Sequence, residues 1–297
     1  MKRPMKAPTD PVEDKDLSKL TYPIVGSPKL DGFRCMIVDK VPLTSRMKIW
    51  PNPYVREMLS KAKLNGLDGE LLIGNPKDPN AFWNTSGELR RHYGEPDFKF
   101  YVFDNFIKGE KPYNERWISS KKVEDPRIIV LEQKLLRTPE EVIAYEKKML
   151  AQGYEGAMIR SLDGRYKQGR CTFNEMNIFK RKPYVECEAV IIGFEESMLN
   201  MNVKFTDERG LSKRSSHKEN MVPKGTLGAF VLKSPIWEKE FRARAGEGFN
   251  QEMKQKIWDN RFDYINQMAT VKYQKYGSRE APRQPSVIKI RPLWDLK

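Results

Sequence analysis

A lysine attacks phosphorus only after losing its proton, so a nucleophilic lysine needs burial, neighbouring cations, or both, to lower its pKa. The segment Ser27-Pro-Lys-Leu-Asp-Gly-Phe-Arg34 holds such a candidate. Lys29, Asp31 and Arg34 lie close together between two strand-like runs, Tyr22 to Ser27 and Cys35 to Val38. Three charged side chains so placed cannot all serve a hydrophobic core. Arg34 is near enough in sequence to act as one of the required cations, and Gly32 suits a tight turn that lets a nucleotide approach the backbone. The plain alternative is a surface turn, because Asp-Gly is a common turn dipeptide.

Five further segments carry the same kinds of residue: Thr44-Ser-Arg46, Asp68-Gly-Glu-Leu71, Phe100-Tyr-Val-Phe-Asp104, Glu155-Gly-Ala-Met-Ile-Arg160 and Phe179-Lys-Arg-Lys182. Each has an innocent reading alone: a hairpin turn at Asp68-Gly69, a core aromatic at Phe103, a solvated basic edge at Lys180 and Lys182. Their chemistry is nevertheless of one kind. Glu70 and Glu155 offer the oxygen ligands that Mg²⁺ prefers when it bridges carboxylate and phosphate. Arg46, Lys180 and Lys182 supply positive charge where it accumulates on phosphoryl oxygens. Lys180 and Lys182 are two apart, so on a strand both face one pocket while Arg181 points the other way.

Lys-x-Asp-Gly-x-Arg followed in order by these five segments resembles the covalent nucleotidyltransferases, and most closely the small ATP-dependent DNA ligases of bacteriophages and large DNA viruses. The resemblance covers nearly the whole chain. It implies a nucleotidyltransferase domain followed by an OB-fold barrel, with ATP and Mg²⁺ as cofactors and nicked double-stranded DNA as partner. Lys29 would carry AMP, pass it to the 5′-phosphate of a nick, and leave the 3′-hydroxyl to displace it. The family's roles, carried over by position, make Lys29, Arg34, Arg46, Lys180 and Lys182 catalytic. Ser27, Glu70, Phe103 and Glu155 join them around the nucleotide, with Phe103 stacking on the purine and Arg46 touching ribose and substrate phosphate. Arg291 and Asp295 fall where the family's last motif orients the pyrophosphate, although Pro292 departs from the pattern. Gly164-Arg-Tyr-Lys-Gln-Gly-Arg170 is similar to a ligase segment, and Leu211-Ser-Lys-Arg-Ser-Ser-His-Lys218 to the latch by which minimal viral ligases enter the DNA groove. Lys213, Arg214 and Lys218 are then the candidate DNA contacts.

The elements that must position these residues are partly legible. Phe98 to Phe103 reads as a strand buried on both faces. A helix is marked by Thr138 as N-cap, Pro139 at its first position, acidic Glu140 and Glu141, apolar Val142, Tyr145 and Met149, and Gly153 as stop. Beyond Pro183 the runs Glu188 to Phe194, Gly228 to Leu232, Ala269 to Tyr273 and Ser286 to Arg291 read as strands, with one helix from Asn250 to Phe262. That pattern predicts an α+β chain: a nucleotidyltransferase domain of antiparallel sheets and helices over 1–183, and a small β-barrel over 184–297. The polar stretch at about 197–224 is too long for an ordinary hairpin loop.

Composition narrows the class. The formal net charge of +14 favours a polyanion partner. No apolar stretch approaches the length of a membrane span, and no apolar region follows the basic start, so the chain reads as cytoplasmic. The cysteines Cys35, Cys171 and Cys187 are scattered, which excludes a zinc ribbon and with it the four-cysteine site of NAD-dependent ligases. With only His92 and His217, a mechanism needing two histidines is nearly excluded. An mRNA capping guanylyltransferase, an RNA ligase and a non-catalytic clamp that binds DNA breaks are the competing readings. The latch-like segment favours a ligase over the first, the barrel-like C-terminal half argues against the second, and the complete motif set argues against the third. No protein partner is evident, and a monomer is the expectation.

Overall fold

The computed structural model describes residues 3–206 and 212–291. The chain divides into two compact units, Met1–Lys182 and Pro183–Lys297.

The first unit contains two sheets. The larger has the strand order Val41–Thr44, Phe33–Val38, Leu67–Ile73, Phe98–Asn105, Ile128–Val130. Its first hairpin turns on Asp39 and Lys40, both at positive φ (51° and 64°), the backbone that a tight two-residue turn requires. Alternation along Phe98–Asn105 separates two apolar clusters. Phe98, Phe100 and Val102 pack with Trp50, Leu67 and Leu71, while Tyr101 joins Leu30 and Leu72 on the other side. The strand expected to be buried on both faces is therefore buried on both, and its last neighbour, Ile128–Val130, runs parallel to it.

The smaller sheet has the order Ile178–Arg181, Gly156–Ser161, Ile24–Lys29, Lys134–Leu136. The helix Pro139–Ala151 covers one of its faces. Thr138 Oγ1 accepts from the Glu141 amide at 3.3 Å, and Gly153 leaves the helix at φ 89°, as the sequence signals require. Val142 packs there with Leu17, Ile24, Leu136, Ile159 and Phe179.

One ionic cluster lies wholly inside this unit. The fully buried Asp104 carboxylate accepts from Arg116 Nε at 2.8 Å and Nη2 at 3.2 Å, and from Arg160 Nη1 at 2.8 Å. Arg116 also donates to the carbonyls of Lys111 (2.6 Å) and Gly164 (2.8 Å), so its buried donors have partners.

The second unit is a closed five-stranded barrel in the order Val185–Asn200, Met221–Lys233, Phe241–Ala245, Arg283–Arg291, Met268–Gln274. Ile191, Phe230, Ala243, Ala269, Val271 and Val287 fill it. The helix Gln251–Asp259 is capped by Asn250, whose Oδ1 accepts from the Met253 amide at 2.8 Å. The first two strands continue past the barrel as a ribbon that pairs as far as Asn200 and Met221. Beyond it the short strands Lys204–Thr206 and Ser212–Arg214 form their own antiparallel pair.

Replacing Asp104 with alanine leaves two buried guanidiniums uncompensated. The substitution is expected to cost about 3–5 kcal/mol, measured by denaturant unfolding; a loss below about 1 kcal/mol would mean the cluster is not structural.

Candidate active site

Lys29 ends the strand Ile24–Lys29 and lies opposite Gly156 in the ladder, which brings it beside Glu155. The glycine is required by space: a Cβ on Gly156 would lie 2.1 Å from the Arg181 carbonyl oxygen. Gly32 is constrained in the same way, because its Cβ would meet the Leu71 carbonyl at 2.4 Å. The Glu155 side chain is only 3% exposed and joins two lysines. Lys29 Nζ donates to its Oε2, and Lys182 Nζ to its Oε1 at 3.5 Å.

This pairing corrects the expectation that Lys29 is held deprotonated with help from Arg34. Burial does pull the Lys29 pKa down, but the charge and hydrogen bond of Glu155, with Glu70 and Asp31 behind, outweigh it and raise the net value. Arg34 is occupied elsewhere. Its Nε and Nη2 donate to Asp68 at 2.5 and 2.6 Å, and Nη2 also reaches the Met5 carbonyl at 3.2 Å. The physical reason is the burial of Asp68, a carboxylate that must be paired where it sits.

Other expected residues gather around this centre. Ser27 is buried, two residues before Lys29 and so on the same face of its strand. Phe103 is flanked by cations: the Arg34 guanidinium lies 4.6 Å from its ring centroid and that of Arg160 lies 5.1 Å away. Lys180 donates to the carbonyl of Thr9. Its pKa falls to about 8, through burial first and then the neighbouring charges of Lys182 and Lys29. Arg181 turns away, donating to the Val12 carbonyl at 2.9 Å, to Asp14 at 2.7 Å and to Glu146. Arg46 is exposed on the turn after Val41–Thr44, where its amide donates to Thr44 Oγ1 at 3.4 Å.

The remaining candidates belong to the barrel unit. Arg291 closes the strand Arg283–Arg291 with Nη2 3.7 Å from Glu188 Oε1, and its buried Nε has no hydrogen-bond partner among the described residues. Lys213 and Arg214 lie on the strand Ser212–Arg214, and Lys218 begins a short 3₁₀ turn. Arg214 already donates through Nη1 to the Asn202 carbonyl, so part of its donor capacity is structural. Asp295, Pro292 and Leu211 lie outside the described residues.

Two contributors escaped sequence reasoning. Asp68 holds Arg34, and Tyr166 donates to Asp68 Oδ2 at 2.5 Å. Both stand in segments already singled out, but their roles depend on pairings across 34 and 98 residues.

The donor set suits a divalent cation shared with phosphate. Burial pushes the Glu70 carboxyl up to about 7; Arg34 and Lys29 draw it down, Asp31 and Glu155 push it further up. Carboxylates that raise one another in a half-buried pocket have charge that a cation would relieve. No group of three or more metal-ligating side chains converges among the described residues. Phosphate oxygens would therefore complete the coordination that Glu70 and Glu155 begin.

A half-buried Lys-x-Asp-Gly lysine bridged by carboxylate to a second lysine, in a unit of two sheets followed along the chain by a barrel, fits a covalent nucleotidyltransferase with an OB-fold domain. Residues 4–182 match the family model of the ATP dependent DNA ligase domain and residues 220–291 that of the DNA ligase OB-like domain, and the chain belongs to the ATP-dependent DNA ligase family. The DNA ligase of African swine fever virus is 25% identical over 137 residues, which span 44% of this chain and 32% of the viral protein. The chain thus aligns with about a third of that relative's length. A solved Chlorella virus DNA ligase-adenylate is 26% identical, with 98% of each chain covered and a TM-score of 0.54. A Lig E DNA ligase shares the fold at a TM-score of 0.67 over 90% of this chain and 92% of its own, at 17% identity.

Glu70 makes the stability of the nucleotide-free protein pH-dependent. Its folded pKa of about 7 lies above the ordinary 4.5, so the ionised carboxylate costs stability above pH 7, and the cost fades as pH falls towards 4.5. Glu70→Gln should therefore stabilise the fold by on the order of 1–3 kcal/mol at pH 8.5 and by almost nothing at pH 4.5. Thermal unfolding at the two pH values measures this, and equal effects at both would refute it.

Proposed function

We propose that this chain is an ATP-dependent DNA ligase that seals 3′-hydroxyl/5′-phosphate nicks in duplex DNA through a lysyl-AMP on Lys29. The observation that carries the reading is the Lys29–Glu155–Lys182 bridge, in a chain of the ATP-dependent DNA ligase family. ATP and nicked duplex DNA are the substrates.

In the free protein Lys29 is protonated and held against Glu155. Its activation requires that Glu155 be drawn to another partner when the nucleotide enters. Burial and the charges of the neighbouring lysines then favour the neutral amine. Lys29 gives up a proton to solvent and its Nζ attacks the α-phosphorus, forming the N–P bond as the bond to pyrophosphate breaks, and the bonded nitrogen then loses its second proton to solvent. Lys180 and Lys182 stabilise the charge that develops on the phosphoryl oxygens. Arg34, locked by Asp68, and Phe103 orient the nucleoside, with Ser27 lining the base site. Arg46, on its exposed turn, is available to the substrate phosphate, and Arg291 to the pyrophosphate. Glu70 and Glu155 would hold Mg²⁺, and the chemistry it would supply is neutralisation of phosphate charge. The 5′-phosphate of the nick next takes AMP from Lys29, and the 3′-hydroxyl then displaces it.

The charge of +14 supports binding through phosphates, without base readout, and affinity should fall steeply with salt. Lys213, Arg214 and Lys218 are the proposed contacts from the barrel unit, and residues 184–297 are read as its OB domain with a latch at about 197–224. The protein is proposed to act as a cytoplasmic monomer. The unpaired cysteines Cys35, Cys171 and Cys187 support a reducing compartment. No helix among the described residues is long and apolar enough to cross a membrane.

Incubation with Mg²⁺ and α-labelled ATP should leave label on the denatured protein. Lys29→Ala should abolish it, and nicked duplex should discharge it from the unsubstituted chain. Label from GTP alone would replace the ligase by a capping guanylyltransferase, and no label from either nucleotide would leave a non-catalytic clamp that binds DNA breaks.

A further inference from the structure

Between Asn200 and Met221, the described residues 201–206 and 212–220 have almost no apolar core. Met201, Val203 and Phe205 are exposed, Val203 at 82%, and the ribbon residues Met198, Leu199 and Val222 are exposed beside them. Backbone pairing is sparse: three residue pairs between Lys204–Thr206 and Ser212–Arg214. A segment this poor in buried apolar surface needs another source of order.

A knot of asparagines supplies it. Asn202 is buried to 6% exposure. Its Nδ2 donates to the carbonyls of Ser215 at 3.1 Å and His217 at 2.9 Å, and to Asn200 Oδ1 at 2.9 Å. Its Oδ1 accepts from Asn220 Nδ2 at 3.2 Å, its amide donates to Asn200 Oδ1 at 3.0 Å, and its carbonyl accepts from Arg214 Nη1. Asn200 Nδ2 adds a second bond to the Ser215 carbonyl at 2.7 Å. One primary amide thus has both its donor and its acceptor sides filled, which alanine cannot reproduce.

We infer that Asn202 is the positioning residue that sets the DNA-contacting arm of the barrel unit before DNA arrives. It grips the chain at Ser215 and His217, between the strand carrying Lys213 and Arg214 and the turn beginning at Lys218. The three cations are thereby presented in one arrangement, and DNA binding does not have to order them. The inference rests on the ligase reading, because it assigns these cations to DNA phosphates.

The test uses the full chain and Asn202→Ala, with Asn220→Ala, which removes one donor to the same knot, as the milder variant. Asn202→Ala should form lysyl-AMP at the unsubstituted rate. It should raise KM for nicked duplex by roughly 10-fold, with kcat at saturating DNA unchanged. Amide hydrogen exchange over 212–220 should quicken, and Asn220→Ala should fall between. The inference is overturned if exchange there is unaltered, or if exchange quickens while KM stays the same. A fall in kcat or in lysyl-AMP formation would equally overturn it, by showing a general structural role. Failure of the unsubstituted chain to seal nicks would sink the ligase reading instead, and is separately visible.

Discussion

The active-site geometry depends on a single buried carboxylate. Glu155 is nearly inaccessible to water, and an unpaired charge there would cost several kcal/mol. Two lysines satisfy it: Lys29 at the end of the strand Ile24–Lys29, and Lys182 just past the end of Ile178–Arg181. The surrounding features follow from bringing three charged residues together at one sheet end. The strand after Glu155 must begin with glycine, since any side chain there would strike the Arg181 backbone. Arg181, between Lys180 and Lys182, is sent to the opposite face, where Asp14 and Glu146 receive it. The same bridge favours the protonated form of Lys29, so the proposed nucleophile rests in an unreactive form.

A second motif repeats around Phe103. Asp68 holds Arg34 and Asp104 holds Arg160, and the two guanidiniums flank Phe103. Each arginine is planar and fixed by a carboxylate that the fold has already buried, so little freedom remains to be lost when a ligand arrives. Arg116 adds a second guanidinium to Asp104 and ties this arrangement to the helix Tyr113–Ser120.

Much of this was legible because the informative residues come in short segments. Lys29, Asp31 and Arg34, or Lys180 and Lys182, declare themselves by local spacing, and a strand's period decides which of them share a face. The helix after Thr138 and most barrel strands were readable for the same reason. What stayed hidden is the pairing between segments. Nothing local says that Arg34 belongs to Asp68 or that Lys29 belongs to Glu155, and the second pairing reverses the expected direction of the lysine's pKa. The strand Phe241–Ala245 was missed because its inward residues, Phe241, Ala243 and the partly buried Ala245, are mostly too small to give a strong alternating signal. The asparagine knot was invisible because polar residues in a long loop normally signify solvent.

The charge balance of the site bears on the proposed use of a cation with the nucleotide. Lys29, Lys180, Lys182 and Arg34 face Glu155, Glu70, Asp31 and Asp68, so the resting cluster is close to neutral, and Glu70 near pH 7 is divided between its two forms. A triphosphate adds several negative charges to a half-buried, weakly screened pocket. The lysines cannot meet that load while Glu155 holds two of them. Glu70 and Glu155 are the carboxylates that would hold a divalent cation, which would offset phosphate charge, and Glu155 would then be less available to keep the Lys29 amine protonated. If Lys29 is the nucleophile proposed above, its pKa must fall when the site is loaded, since the nucleotide-free geometry raises it.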